Sequence, residues 1–453
     1  MSTAIFGVNG VRGTVNVDLT PEVVLQLGKA IGRTFPGVVA IATDARNSAV
    51  AMKTALASGM MASGCSVVDL GILPTPALQY YVFTHPGVSG GVMITASHNP
   101  YGDNGLKIFL EGGVEATRED EQALDSLYSR EIPLEEWSSV GEIRTERGAI
   151  EDYVQHIVNS VDSDSIRGAG LTVCIDCANG ATSITTPLLL RMLGVKTVAL
   201  ECDPDGTPRR ESDPTPDNLS DIMAIVPLTG ADLGVAHDSD GGRAVFIDGL
   251  GRYVDGDRMG ALMAERLLAD KKGKIVTPVS SSRVLEDVVE VSGGQIRYTE
   301  VGTHSVVRKM IENLAILGIE EDGGMIFPSD CMGRDGGMAL AKVLELVARG
   351  IPLADMIDGL PVYHKVKRRV PCPDDAKAKV MDAYSHDHSD TDAETDITDG
   401  LKIMMDAGWT LVRPSTTEDF IRVYAESSDS ETAISLADAV EREVIRLVSE
   451  NIS

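Results

Sequence analysis

The sequence predicts an α/β protein: three consecutive α/β domains with mixed, mainly parallel sheets, then a smaller C-terminal α+β domain. Three observations carry this. The chain has 453 residues, more than one hydrophobic core holds, and domains run to roughly 100–150 residues. Short aliphatic runs alternate with helical patterns, and that alternation starts afresh twice, as in successive βαβ units. The last stretch instead groups its strands together and flanks them with helices.

In chain order, 38–42 reads as a strand, 49–63 as a helix, and 66–70 and 90–94 as two further strands. The second unit has strands at 171–176, 195–200 and 232–236 around a helix at 182–193. The third has a strand at 274–279, a helix at 282–291 and strands at 295–299 and 314–319. The last segment has a basic strand at 363–370, a helix at 376–384 and an Asp-rich loop at 386–396. A hairpin at 400–405 and 409–412, a strand at 421–425 and an amphipathic helix at 432–448 complete it. Boundaries near 150, 250 and 365 divide the chain into 1–150, 151–250, 251–365 and 366–453.

Composition narrows the function. Hydrophobic residues make up 43% and charged residues 24%, as in soluble globular proteins. The net charge of −28 repels phosphate backbones, so nucleic acid is not an expected partner. An anionic substrate then needs a local basic site. The N-terminus has no basic region followed by an apolar stretch, and no run of about 18 apolar residues occurs, so a cytoplasmic protein without membrane partners is expected. The six cysteines are scattered. Cys174 and Cys177 form a C-x-x-C without the second pair of a zinc ribbon, so neither metal nor redox chemistry is read from them.

Four loops carry chemistry. Thr95-Ala96-Ser97-His98-Asn99-Pro100, followed by Asn104-Gly105-Leu106-Lys107, lies at the carboxyl end of a strand, where α/β sheets place ligands. Ser97 is not in a G-x-S-x-G elbow, which argues against an esterase, but a serine can carry a phosphoryl group. By itself such a segment is more often a strand-exit turn, because Ser, Asn and Pro all favour turns. In His237-Asp238-Ser239-Asp240-Gly241-Gly242-Arg243 two carboxylates at i, i+2 can face a hard cation such as Mg²⁺, and Arg243 can clamp a phosphate. The alternative there is an Asp-Gly turn. Glu320-Glu321-Asp322-Gly323-Gly324 can hydrogen-bond sugar hydroxyls, or be a solvated turn. Arg413-Pro414-Ser415-Thr416-Thr417-Glu418, then Arg422, joins guanidinium groups to a hydroxyl-rich turn, a phosphate clamp in an otherwise acidic chain.

Each loop comes from a different domain, in the order nucleophile, cation site, sugar reader, phosphate clamp. With these loops the chain resembles the α-D-phosphohexomutase superfamily, and within it the archaeal phosphoglucosamine mutases. The resemblance extends to 6–13, to Leu73-Pro74-Thr75-Pro76-Ala77-Leu78-Gln79-Tyr80, to Gly333-Arg334-Asp335-Gly336-Gly337, and, for the archaeal group, to Pro204-Asp205-Gly206-Thr207 with Pro214-Thr215-Pro216. It implies four domains around a central cleft and a phosphosugar mutase that interconverts 6-phospho and 1-phospho sugars, glucosamine phosphate first. It also implies a phosphoserine at Ser97, Mg²⁺ held by Ser97, Asp238 and Asp240, and a sugar bisphosphate that is intermediate and activator. Arg12, His98, Lys107 and Arg243 are then catalytic, with Lys107 a general acid/base for the sugar hydroxyl. Glu320, Asp322 and His304 read the sugar, while Arg413, Ser415, Thr416, Thr417 and Arg422 bind phosphate. The partner is a small phosphosugar, and the assembly a monomer or homodimer.

Three loops depart from the family pattern. Gly242 stands where a third aspartate is usual, Ile319 where the sugar loop has its second glycine, and Thr416 and Asp419 where the phosphate loop has glycine and proline. Asp419 adds negative charge beside a phosphate site. Glucose or mannose phosphate specificity, or a paralogue that binds sugar phosphate with little turnover, are therefore the alternatives. Asp322 favours an amino sugar, because a carboxylate welcomes an ammonium.

Overall fold

The computed structural model describes residues 6, 10–328, 332–389, 393–415 and 418–451. The chain folds into two compact units, one of Met1–Met259 with Asp322–Asp358 and one of Gly260–Glu321 with Gly359–Ser453. No helix among the described residues is long and apolar enough to cross a membrane.

The first unit holds two mixed sheets. In one, the strands Gly90–Ile94, Val38–Thr43, Ser66–Ile72 and Ile143–Thr145 are parallel neighbours in that order. Asp103–Leu110 runs antiparallel beside Gly90–Ile94, and Val11–Thr14 antiparallel beside Asp103–Leu110. The other sheet repeats the plan: Thr172–Asp176 lies parallel to both Lys196–Leu200 and Leu233–His237, and Ala244–Asp248 returns antiparallel to Leu233–His237. Parallel strands buried on both faces explain the unbroken aliphatic runs of the sequence. The helices Pro21–Thr34 and Ala49–Ala62 cover the first sheet and cross at Gly28 and Gly59. A Cβ at Gly59 would lie 2.1 Å from the Leu25 carbonyl oxygen, so only glycine permits that approach.

In the second unit Lys274–Pro278 lies between parallel Gln295–Thr299 and Leu317–Ile319. Five antiparallel strands follow, ordered His364–Pro371, Phe420–Ser427, Gly408–Pro414, Leu401–Met405 and Thr395–Asp396. The helix Ser430–Asn451 packs Val444, Leu447 and Val448 onto Val370, Ile421 and Val423. This is the α+β segment that the sequence predicts.

Two local expectations are corrected. The strand expected at 314–319 begins only at Leu317, because Leu314 closes the helix Thr303–Asn313 in the left-handed region at φ 50°. The helix expected at 376–384 runs from Asp374 to Asp387, into the stretch read as loop, while residues 390–392 lie outside the described residues. The C-x-x-C is not a structural pair. Cys174 Sγ lies 3.4 Å from Thr229 Oγ1, and Cys177 faces Cys202 with the sulfurs 3.4 Å apart, all as free thiols.

Candidate active site

Both chemical loops of the first unit occupy the same topological place. Residues 95–102 link the parallel strand Gly90–Ile94 to its antiparallel return, and 238–243 link Leu233–His237 to its own. Each loop is therefore tied at both ends by sheet hydrogen bonds. Arg12 reaches the first of them from Val11–Thr14, where it is in register with Gly105.

Ser97 is fully buried and adopts φ 50°, a left-handed conformation unusual for a residue with a Cβ. Its Oγ donates to Asp238 Oδ2 at 3.0 Å. Asp238 also accepts from Arg243, at Oδ1 from the backbone N–H and at Oδ2 from Nε, both at 3.0 Å. Asp240 Oδ2 accepts from Lys107 Nζ and Thr75 Oγ1, each at 2.6 Å. Arg12 Nη1 donates to Asn99 Oδ1 at 2.7 Å. Arg243 Nη1 lies 3.0 Å from Asp213 and 3.5 Å from Asp322, and Asp322 lies 3.4 Å from Arg334.

The electrostatics follow from burial and pairing. Burial alone would raise the Asp240 pKa, but Lys107 and the Thr75 hydrogen bond prevail and hold it well below the ordinary carboxylate value. Arg243 is pushed the opposite way: burial opposes its charge, and Asp238, Asp322 and Asp213 outweigh it. His98 is driven down to about 2 by burial and by the charges of Arg243 and Arg12, so it is a neutral imidazole at physiological pH. It is thus a hydrogen-bonding group and not a source of imidazolium protons. Lys107, read from the sequence as an acid/base, is placed as an ion-pair donor, which suits the acid half of that role.

The buried polar atoms Arg12 Nε, His98 Nδ1, Asp240 Oδ1 and Arg243 Nη2 have no hydrogen-bond partner among the described residues. Such atoms are uncommon in folded proteins, and a ligand, an ion or water can complete their shells. Two are cationic donors, suited to phosphoryl oxygens. One is a carboxylate oxygen, suited to a cation. No three His, Cys, Asp or Glu side chains among the described residues form a metal cluster. Asp238 and Asp240 supply two carboxylates, and Mg²⁺ is commonly held by one or two plus a phosphate. The donor set therefore fits Mg²⁺ once a phosphoryl group is on Ser97.

The structure thus gathers Ser97, His98, Lys107, Arg12, Asp238, Asp240, Arg243 and Asp322 in one unit. Asp322 is not a free carboxylate for an ammonium, since Arg243 and Arg334 already partner it. Glu320, His304, Arg413, Ser415 and Arg422 belong to the second unit. Thr416 and Thr417 lie outside the described residues. Glu320 is buried and accepts from Thr303 Oγ1 at 2.9 Å, and His304 is half-buried near the start of the helix Thr303–Asn313. Arg413 Nε pairs with Asp399 at 2.8 Å, Arg422 Nη2 with Glu418 at 3.2 Å, and Ser415 is buried. Arg413 and Arg422 are directly opposed across their strands, and Arg369 is opposed to Arg422 in turn. Three like charges in a cross-strand row destabilise a sheet unless an anion lies among them.

Glu321, a residue the sequence left without a role, accepts from Lys365 Nζ at 2.6 Å and Lys367 Nζ at 3.1 Å. Burial would raise its pKa, but the two lysines hold it down to about 2. The ordinary value is 4.5, so this pairing stabilises the fold fully above that pH and is lost as pH falls towards about 2. The wild type should lose on the order of 3 kcal/mol across that window relative to Glu321→Gln. Urea midpoints of the two proteins between pH 5 and pH 2 measure it. Parallel curves would refute the pairing.

Comparison with known proteins agrees at every scale. The sequence matches Phosphoglucomutase/phosphomannomutase, alpha/beta/alpha domain I over residues 3–134, domain II over 151–251 and domain III over 255–363. The C-terminal domain of that family matches 368–443. The chain belongs to the phosphoglucomutase/phosphomannomutase family. It is a phosphosugar mutase. A Phosphoglucomutase/phosphomannomutase of Thermococcus kodakarensis is 40% identical over 95% of this mutase and 96% of its own length. A Phosphoglucosamine/phosphogalactosamine mutase of Sulfurisphaera tokodaii is 38% identical over 97% and 98%. A Phosphoglucomutase/phosphomannomutase family protein of Burkholderia thailandensis superposes with a TM-score of 0.86 at 26% identity, covering 98% of the mutase and 97% of that chain.

Sequence reasoning missed Asp44, Arg46, Thr75, Ser212, Asp213 and Ser239 in the mutase. Asp44 and Arg46 follow the strand Val38–Thr43, and the carboxyl end of a parallel strand was signal enough to examine them. Ser212 and Asp213 lie in a long connection without periodicity, and only the fold brings them to Ser97 and Arg243.

Proposed function

We propose that the mutase interconverts glucosamine 6-phosphate and glucosamine 1-phosphate by way of a phosphoryl group on Ser97 and a bisphosphorylated sugar. The observation that carries this is a set of atoms around a buried serine with no partner among the described residues: Arg12 Nε, Arg243 Nη2, His98 Nδ1 and Asp240 Oδ1. They provide donors for a phosphoryl group and an acceptor for a cation. In the first step the bond from phosphorus to Ser97 Oγ breaks as the bond to the free sugar hydroxyl forms. In the same step one proton moves in all, from the sugar hydroxyl to Ser97 Oγ, and the regenerated serine hydroxyl donates to Asp238 Oδ2 at 3.0 Å. In the second step the sugar turns over and its other phosphoryl group returns to Ser97 by the reverse sequence. Arg12 and Arg243 neutralise charge on the transferring group, Lys107 protonates or steadies the sugar oxygen, and His98 donates a hydrogen bond. Asp238, Asp240 and the phosphorylated Ser97 are the proposed Mg²⁺ ligands, and the ion would supply further charge neutralisation. Glu320 and His304 are read as sugar-binding, and Arg413, Ser415, Thr416, Thr417 and Arg422 as phosphate-binding. The amino sugar is supported by the Sulfurisphaera relative's name. A coupled assay with glucosamine, glucose and mannose 6-phosphates, each with catalytic sugar bisphosphate, tests the choice. Higher kcat/KM for glucose or mannose phosphate would overturn it.

Gly242 offers a direct test of the cation site. Its φ is not left-handed, and a Cβ there would meet Arg334 only at 3.8 Å, an ordinary contact. Gly242→Asp should therefore fold normally and add a carboxylate. Mg²⁺ affinity should rise about tenfold, since ligand charge tunes affinity, and turnover at limiting Mg²⁺ should rise with it. Titration curves identical to wild type would remove Asp238 and Asp240 as the cation loop.

A further inference from the structure

We propose that Arg46 is the positioning residue of the phosphoryl-carrying serine. This rests on Ser97 being that serine, and it assigns a function to a residue that touches no reacting atom.

Arg46 is 3% exposed and spends all five of its N–H donors. Nε donates to Asp44 Oδ2 at 3.1 Å. Nη1 donates to the carbonyl oxygens of Pro100 at 2.6 Å and Asp103 at 2.9 Å. Nη2 donates to the carbonyl oxygens of Ser97 at 2.6 Å and Asn99 at 2.8 Å. One planar fork thus gathers four carbonyls of a single turn. The Ser97 carbonyl takes two further donors, Ser212 Oγ at 3.0 Å and Ser239 Oγ at 2.6 Å. Asp44 in turn accepts from Thr95 Oγ1 at 2.6 Å, and Thr95 Oγ1 accepts from the Ser97 N–H at 2.8 Å.

The geometry explains the need. Ser97 sits at φ 50°, where a side chain crowds its own backbone, and a free turn would relax out of it. Relaxation would swing Oγ away from Asp238. Pinning the carbonyl from one side leaves the Oγ on the other as the part of the residue that reacts. The pin must hold while the serine gains and loses a doubly charged group beside Asp238. Lysine cannot replace it, because three donors on one atom do not span four carbonyls.

The test uses the full-length enzyme, phosphorylated with sugar bisphosphate and followed by intact mass. Arg46→Lys keeps the charge and loses the fork. Its kcat per folded molecule should fall about 100-fold with KM within about twofold of wild type, the size of effect a misplacement of about 1 Å produces. In a single turnover with sugar 6-phosphate, a larger share of the phosphoryl group should go to water. A purely structural arginine would lower the folded fraction and leave both quantities, per folded molecule, unchanged. That result, or a loss confined to KM, overturns the proposal. Should Arg46→Lys fail to fold, Ser212→Ala removes one donor from the same carbonyl and should shift both readouts about threefold to tenfold, and unchanged values overturn the proposal equally. If the wild type takes up phosphate at a residue other than Ser97, the serine assignment fails and this inference with it. If Ser97 is phosphorylated and the variants transfer like wild type, only the inference fails.

Discussion

Ser97→Ala should abolish turnover, with kcat/KM at least about 10⁴-fold below wild type, because loss of a nucleophile is not shared out among the remaining groups. The variant should remain folded. Alanine at 97 inherits the same φ of 50° and the same three donors to its carbonyl, and gives up only the hydroxyl bond to Asp238. That bond contributes about 1 kcal/mol. Incubation with sugar bisphosphate should add roughly 80 Da, one phosphoryl group, to the wild type and nothing to the variant. Phosphoryl mass on Ser97→Ala, or turnover within tenfold of wild type, would place the chemistry elsewhere.

Asp240→Asn has the second largest expected effect, and it acts on two quantities at once. Asp240 is fully buried, and Lys107 is nearly so. Asparagine keeps the shape but leaves the Lys107 ammonium without a counter-charge in a dry site, which costs about 3 kcal/mol or more. It also removes the charge from one of the two carboxylates left for a cation. Turnover should fall about 10²–10³-fold, by analogy with the loss of one preorganised electrostatic group, and the melting temperature should drop. A double variant, Asp240→Asn with Lys107→Met, should recover most of the stability and none of the activity. Full activity in the single variant would exclude Asp240 from the site. The ion pair also contributes to stability in acid. The depressed Asp240 pKa gives stability that is present above the ordinary carboxylate range and lost as pH falls below it.

How far the sequence could be read depends on the kind of signal. Parallel strands announced themselves, because burial on both faces leaves continuous runs such as those at 38–43 and 172–176. The antiparallel returns at 103–110 and 244–248 were not placed as strands: Asn104 and Lys107 interrupt the apolar pattern of the first, and the second is a short apolar run that directly follows the aspartate loop. The residues of the serine and aspartate loops were legible through their conjunction with two further polar loops, since each alone reads as a turn of Ser, Asn, Asp and Gly. Their partners were not. Thr75 reaches Asp240 across 165 positions, and Ser239 reaches Ser97 across 142. No local pattern encodes such distances. Asp322 shows the opposite failure: its charge was visible, but its engagement with Arg243 and Arg334 was not, and only the latter decides what it can bind.

The two compact units are interleaved along the chain, and this bears on biosynthesis. The unit with Ser97 is closed by residues 322–358, and 260–321 wait for 359–453. A nascent chain that has just produced Ser97 has neither Ser212 and Ser239 to hold its carbonyl nor Asp238 to accept its hydroxyl. Contacts that distant form slowly. Assembly of the geometry around Ser97 therefore waits at least for residues 212–239, and a ribosome stalled before residue 212 holds a polypeptide whose serine lacks all three of these partners.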